Sequence, residues 1–308
     1  MNTRHLVSIA DLSRAEVEAL LARARNLKAE GKSGRMNAPL RGQTLALIFE
    51  KPSLRTRVTF EAGMTQLGGH AVYLAPADIQ LGVRETVADV ARNLSRWVQG
   101  IAARTYAHRA VEELAAHATV PVINALTERE HPCQALADFL TILEHKGTLA
   151  GLKLAFVGDG NNVCHSLLLL AGTLGVNMSV GHPRGYAPAE DIVAQARQLA
   201  TAAGSTIELT NDPQAAVAEA DAVYTDVWAS MGQEDTLEER RRVFQPYQLN
   251  AQLLRQAKPE AIVLHCLPAH RGEEITDEVI DGPQSVVLDE AENRLHIQKA
   301  LLLWLLGA

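Results

Sequence analysis

Short apolar runs recur along this chain at intervals that leave room for a helix between most of them, and this alternation restricts the fold more than any single residue does. The runs are Thr44–Phe49, His70–Leu74, Gly100–Arg104, Val120–Asn124, Lys153–Gly158, Asn177–Gly181, Ile207–Thr210, Ala222–Trp228 and Ala261–Leu267. Strands that are apolar on both faces belong in parallel sheets covered by helices, so an α/β protein is expected. At 308 residues the chain is long for one core and suits two domains. The polar joint His145-Lys146-Gly147-Thr148 precedes a new strand–turn–helix unit and marks the division. The expectation is one domain of residues 1–147 with 286–308 and a second of 148–285, each a mostly parallel sheet flanked by helices, with the active site in the interdomain cleft. Ser13-Arg14-Ala15-Glu16 is a capping box that starts a helix to about Lys28, and Glu30 to Gln43 is a polar connector. A last helix runs from about Ala291; its run Leu301-Leu302-Leu303-Trp304-Leu305-Leu306 is too short to span a bilayer and reads as a buried face.

Composition narrows the partners. A net charge of -7 with 4% aromatics argues against nucleic acid, which requires a basic surface and often stacking rings. A positive site in such a chain must be local, which suits a small anion. The N-terminal stretch lacks an apolar core of signal-peptide length. Three widely spaced cysteines, Cys133, Cys164 and Cys266, form neither a disulfide framework nor a zinc pattern, so a cytoplasmic protein without a structural metal is expected.

The chemically rich segments follow the carboxyl ends of the expected strands, the edge at which open α/β sheets bind ligands. In Glu50-Lys51-Pro52-Ser53-Leu54-Arg55-Thr56-Arg57, Pro52 stops a strand and Ser53 is a candidate N-cap for a helix that starts near Leu54 and ends at Gly68-Gly69. The unpaired N–H groups of that helix, its positive dipole end and Arg55 or Arg57 together make an anion site. Arg104 closes the third strand, and His131-Pro132-Cys133-Gln134 follows the fourth. In the second half the corresponding segments are Asp159-Gly160-Asn161-Asn162, Asp226 to Gly232 and His265-Cys266-Leu267-Pro268.

The segments Ser53-Leu54-Arg55-Thr56-Arg57, His131-Pro132-Cys133-Gln134, Asp226-Val227-Trp228-Ala229-Ser230-Met231-Gly232 and His265-Cys266-Leu267-Pro268, in this order, resemble the motifs of the aspartate/ornithine carbamoyltransferase family, the last two those of its ornithine-specific members. Leu54 stands where the commoner family pattern has Thr, which removes a hydroxyl and keeps a backbone N–H. The resemblance implies a carbamoyl phosphate domain, an amino-acid domain, and trimers or assemblies of trimers that share active sites. It implies that Ser53, Leu54, Arg55 and Thr56 cradle the phosphate, that Arg104, His131 and Gln134 hold the carbamoyl group, and that Arg294 and Gln80 contribute, Gln80 to a neighbouring subunit's site. Asn162, Asp226, Ser230 and Met231 would bind ornithine, and Cys266 and Leu267 would lie beside the reacting amine. Arg104, His131, Asp226 and Cys266 are the residues expected to carry the chemistry. The substrates implied are carbamoyl phosphate and L-ornithine, and no metal or organic cofactor is called for. The charged run Gln233 to Arg242 reads as a mobile surface loop, a lid in the family.

Two rival readings differ in chemistry. Gly158-Asp159-Gly160 after a strand suggests a dinucleotide enzyme, but the third glycine position of that fingerprint holds Val163, and the next strand ends in Gly181-His182-Pro183 without the ribose-binding acid. A carbamoyltransferase for aspartate, putrescine or an N-acylated ornithine is the nearer alternative, and the acidic Asp226 suits a cationic amino acid better than a dicarboxylate.

Overall fold

The computed structural model describes residues 3–33, 37–229 and 237–307. The chain divides into two compact units, residues 1–140 with 292–308, and residues 141–291.

In unit 1, strands β1 (Thr44–Phe49), β2 (His70–Leu74), β3 (Gly100–Arg104) and β4 (Val122–Leu126) form a parallel sheet in the order β2-β1-β3-β4. Its helices are α1 (Arg14–Lys32), α2 (Arg55–Gln66), α3 (Pro76–Ile79), α4 (Val87–Trp97), α5 (His108–His117), α6 (Pro132–Lys146) and, at the end of the chain, α13 (Val287–Leu305); the division between the units falls within α6 and α13. β3 and β4 are buried along their whole length, as strands covered on both faces must be. One core cluster joins Ile48, Ile101, Ala103 and Val122 of the sheet to Val90, Leu94, Val111 and Leu114 of α4 and α5. Leu301, Leu302 and Leu303 of α13 are buried.

Unit 2 holds β5 (Lys153–Val157), β6 (Asn177–Gly181), β7 (Ile207–Thr210), β8 (Ala222–Thr225) and β9 (Ile262–Leu264), parallel in the order β7-β6-β5-β8-β9. Its helices are α7 (Asn162–Leu174), α8 (Glu190–Ala203), α9 (Pro213–Val217), α10 (Leu237–Phe244), α11 (Ala251–Leu254) and α12 (Asp277–Ile280). α7 is buried from Val163 to Leu174 and packs closely on α8: a Cβ on Gly172 would stand 2.6 Å from the carbonyl oxygen of Ala196. No described helix is long and apolar enough to cross a membrane.

Several boundaries differ from the sequence expectation. α1 runs on to Lys32, and α13 begins at Val287 instead of near Ala291. β4 is shifted two residues forward, because the polar Asn124 is an interior strand residue whose side-chain amide donates to Val7 O at 2.8 Å. β8 and β9 stop at Thr225 and Leu264, where the chain leaves its ladder partners although apolar residues continue. Ser53 does not cap α2: the cap position is Leu54, already in helical conformation at φ -75° and ψ -62°, with no side-chain cap bond.

Candidate active site

Unit 1 gathers cations around one imidazole. β1 delivers the loop 50–54, and α2 begins with Arg55 and the buried Thr56. β3 ends in the buried Arg104, and β4 leads to the buried His131, directly before Pro132 at the start of α6. Arg294 of α13 donates through Nη2 to Thr56 Oγ1 at 2.9 Å and through Nη1 to Gln134 Oε1. Gln134 donates in turn to Asp138 at 2.7 Å. Burial first, then the charges of Arg294, Arg104 and Arg55, hold the His131 pKa well below its ordinary value. Three guanidinium groups therefore act on a single neutral imidazole.

The two arginines of the α2 segment have different roles. Arg57 is committed elsewhere, with Nε 2.9 Å from Glu61 and its guanidinium 3.6 Å from the Tyr73 ring centroid. Arg55 is the one whose charge reaches His131. Leu54 is 72% exposed, so its contribution rests on the backbone. Gln80 is exposed at the left-handed end of α3 and takes no part in the described hydrogen-bonded set. Cys133, beside His131, is buried against Asn124 O, and burial pushes its thiol up to about 12.

Lys51 was not singled out from the sequence, where it reads as a surface residue of a loop. It is buried, with Nζ 4.4 Å from the Tyr106 ring centroid, and burial followed by the Arg104 charge lowers its pKa. A lysine beside Pro52 in an anion loop was the available signal.

Unit 2 organises hydrogen bonds around one carboxylate. Asp226, buried just beyond β8, accepts at Oδ1 from Val227 N at 2.8 Å and from the Cys266 thiol at 3.0 Å, and at Oδ2 from Asn161 Nδ2 at 2.7 Å. Asn161 also caps α7, accepting from the N–H groups of Val163 and Cys164. This places the expected Asn162 as the first residue of α7, next to the cap, and makes Asn161 the direct partner of Asp226.

The loop after β9 is fixed by His265. Its Nδ1 accepts from Leu267 N at 2.9 Å, so the ring proton lies on Nε2, 3.1 Å from Glu274 Oε1, with both side chains fully buried. Glu290 accepts from His265 N at 2.9 Å and from the Tyr224 hydroxyl at 3.2 Å. Leu267 is held at φ +56°, a left-handed conformation that a leucine adopts only under such constraint. Neither glutamate was visible in the sequence, because each meets the loop only through tertiary structure. Asp226, His265 and Cys266 offer donor atoms within 4.8 Å of one another, a set that could hold a cation only if His265 gave up one of its two existing bonds.

The charged segment 233–242 is not a uniform surface loop. Residues 233–236 lie outside the described residues, but 237–244 form α10, and Arg240 is buried, donating to Asp159 Oδ2 at 2.7 Å and to Trp228 O at 2.6 Å. The expected Ser230 and Met231 also lie outside the described residues. Gly160 is required by close packing, since a Cβ there would stand 2.2 Å from Pro188 N. That glycine is used in approaching a neighbouring loop.

Over residues 4–144 the chain matches the family model for the carbamoyl-P binding domain of aspartate/ornithine carbamoyltransferase, and over 150–305 the model for its Asp/Orn binding domain. It is 56% identical over 303 residues to the ornithine carbamoyltransferase of Anoxybacillus flavithermus, covering 98% of this chain and 96% of the relative. It is 54% identical over 304 residues to the anabolic ornithine carbamoyltransferase of Pyrococcus furiosus, covering 99% and 96%. Among solved structures, the ornithine carbamoyltransferase from Pyrococcus furiosus superposes with a TM-score of 0.97 at 53% identity, covering 99% of this chain and 97% of that one. The one from Thermus thermophilus gives 0.88 at 49% identity, covering 98% of each.

Proposed function

We propose, from the premise that this chain belongs to the aspartate/ornithine carbamoyltransferase family, that it transfers the carbamoyl group of carbamoyl phosphate to the side-chain amine of L-ornithine, giving L-citrulline and phosphate. The observation that carries the donor side is the action of Arg294, Arg104 and Arg55 on a buried, neutral His131 beside the start of α2. Such a site suits a dianion, and the N–H groups of the first turn add to its pull.

In this reading Ser53, Leu54 through its backbone, Arg55 and Thr56 bind the phosphate. Arg104 and His131 stabilise the charge that develops on the carbamoyl oxygen as the amine attacks, and Gln134 accepts from the carbamoyl NH2. A neutral imidazole can donate to that oxygen without the cost of burying a fourth positive charge. The acceptor is held by Asp226, which pairs with the α-ammonium, and by Asn162, Ser230 and Met231, while Cys266 and Leu267 orient the reacting amine. An amine with a pKa of about 10.4 must lose a proton first, at a cost of about 4 kcal/mol near pH 7.4. The departing phosphate and Cys266 are the candidate acceptors of that proton, Cys266 only once its own thiol proton has passed to the Asp226 carboxylate to which it donates. Phosphate is a good leaving group and the arginines supply its countercharge, so the step needs no other electrophile.

The enzyme acts as a homo-oligomer built from trimers, with Gln80 reaching a neighbouring subunit. This is supported by the exposed apolar side chains of Leu54, Val58, Val72 and Val83, which flank α2, β2 and the Gln80 turn. Its three cysteines, none of them in a disulfide, suit the cytoplasm, and arginine biosynthesis is the corresponding role. The test is an assay with ornithine, aspartate, putrescine and N-acetylornithine in which phosphate and ureido product are measured together. Citrulline from ornithine alone is expected; equal or faster turnover of another amine would overturn the assignment.

A further inference from the structure

Four buried side chains of unit 1 form one polarised file. Asp138 Oδ1 accepts from Gln134 Nε2 at 2.7 Å, Gln134 Oε1 accepts from Arg294 Nη1, and Arg294 Nη2 donates to Thr56 Oγ1 at 2.9 Å. Gln134 and Asp138 are one turn apart on α6, the spacing at which helical side chains meet. A glutamine amide can ordinarily be turned end for end at little cost, because its oxygen and nitrogen are close in size. Here the choice is forced. A guanidinium has only donors, so it requires the amide oxygen, and the amide NH2 is turned toward Asp138. Reversal would set NH2 against guanidinium and carbonyl against carboxylate, with neither pair able to reach water.

We propose that Asp138 is a positioning residue for carbamoyl transfer, holding the Gln134 amide with its oxygen on the Arg294 side, where the donor's carbamoyl NH2 is read. The inference rests on the carbamoyl phosphate reading given above. Asp138 acts through Gln134 and touches no substrate. With the oxygen on that side, Oε1 accepts the carbamoyl N–H, and a reversed amide would present a hydrogen to it instead.

The experiment combines steady-state kinetics with calorimetric titration of carbamoyl phosphate. Asp138→Ala is expected to raise KM and Kd for carbamoyl phosphate about tenfold or more while the KM for ornithine stays near its wild-type value. Asp138→Asn, whose amide oxygen can accept the same N–H, recovers most of the loss. In a Gln134→Ala background the Asp138→Ala change adds nothing further. A purely structural Asp138 would lower Tm without moving KM, or its effect would multiply with that of Gln134→Ala; either result overturns the proposal. Should Asp138→Ala not fold, the exchange of polarity decides. Gln134→Glu alone sets two carboxylates together, and adding Asp138→Asn to it should restore donor binding; a double variant no better than Gln134→Glu is fatal to the idea. If the wild-type protein fails to bind carbamoyl phosphate, both this proposal and the functional reading fall. If it binds and Asp138→Ala binds equally well, only this one does.

Discussion

In unit 1 the guanidinium groups of Arg55, Arg104 and Arg294 act together on one buried imidazole, whereas in unit 2 the carboxylate of Asp226 is ringed by Asn161, the Val227 N–H and the Cys266 thiol, each already bonded to it. The first arrangement concentrates like charge; the second spreads one charge over several donors. The difference follows the two ligands. A phosphate dianion brings enough charge to interact with several cations at once. A zwitterionic amino acid with a second amine brings less net charge, and its placement depends on direction more than on field.

The strongest way to break this comparison is to remove from unit 1 the charge proposed to face the reacting oxygen. Arg104→Ala should lower kcat about a thousandfold while circular dichroism and Tm report an intact fold; a variant with near-normal turnover would take Arg104 out of the chemistry. Next in size is Asp226→Asn, which keeps a side-chain oxygen for Val227 N. It should raise the KM for ornithine about a hundredfold and leave calorimetric binding of carbamoyl phosphate unchanged. Loss of donor binding in that variant would show that the two sites are not separable in this way.

A smaller effect concerns pH. The folded His131 has a lowered pKa, so between the unfolded value of about 6.5 and its own value the unfolded chain binds a proton that the folded site refuses. Its contribution to stability is complete above about pH 6.5 and is lost as pH falls toward the folded pKa. His5, His108 and His296, also lowered by burial, act in the same direction. Urea unfolding of His131→Gln should therefore show a shallower loss of stability below pH 6.5, by up to about 1.4 kcal/mol per pH unit; an unchanged slope would mean that His131 titrates normally. The smallest effect belongs to Arg57→Ala. With Arg57 engaged by Glu61 and Tyr73, the KM for carbamoyl phosphate should change by less than about threefold, and a large rise would return Arg57 to the anion site.

The sequence revealed the strands best where apolar character and ladder partners end together. β1, β2, β3, β6 and β7 have the expected limits. It misled where those two properties separate. Asn124 reads as the end of a strand and is an interior residue with its own side-chain hydrogen bond to Val7 O, while Val227 and Trp228 prolong an apolar run after β8 has lost its neighbour. Within the site, residues beside distinctive motifs were legible, but partners supplied from far along the chain were not. Asp138 bonds Gln134 within one turn and still gave no signal, because an Asp on a helix reads as solvated until its burial is known. Glu274 and Glu290 meet His265 through folds in the backbone that no local pattern announces. The Asn161-Asn162 pair shows the limit at single-residue scale, since either could have been the helix cap.

The segment ahead of α1 runs along the outer side of β4. Leu6 pairs with Ile123 in a parallel bridge, its N–H donating to Val122 O and its carbonyl accepting from Asn124 N, and the buried Glu130 accepts from Ser8 and Ile9. These contacts occupy backbone groups that would otherwise leave the sheet margin open to another chain. Trimming the first nine residues would thus do two kinds of harm at once: it would invite self-association along β4, and it would release the tether on Glu130, the residue immediately before His131. A preparation shortened at its front end should lose solubility and donor affinity together.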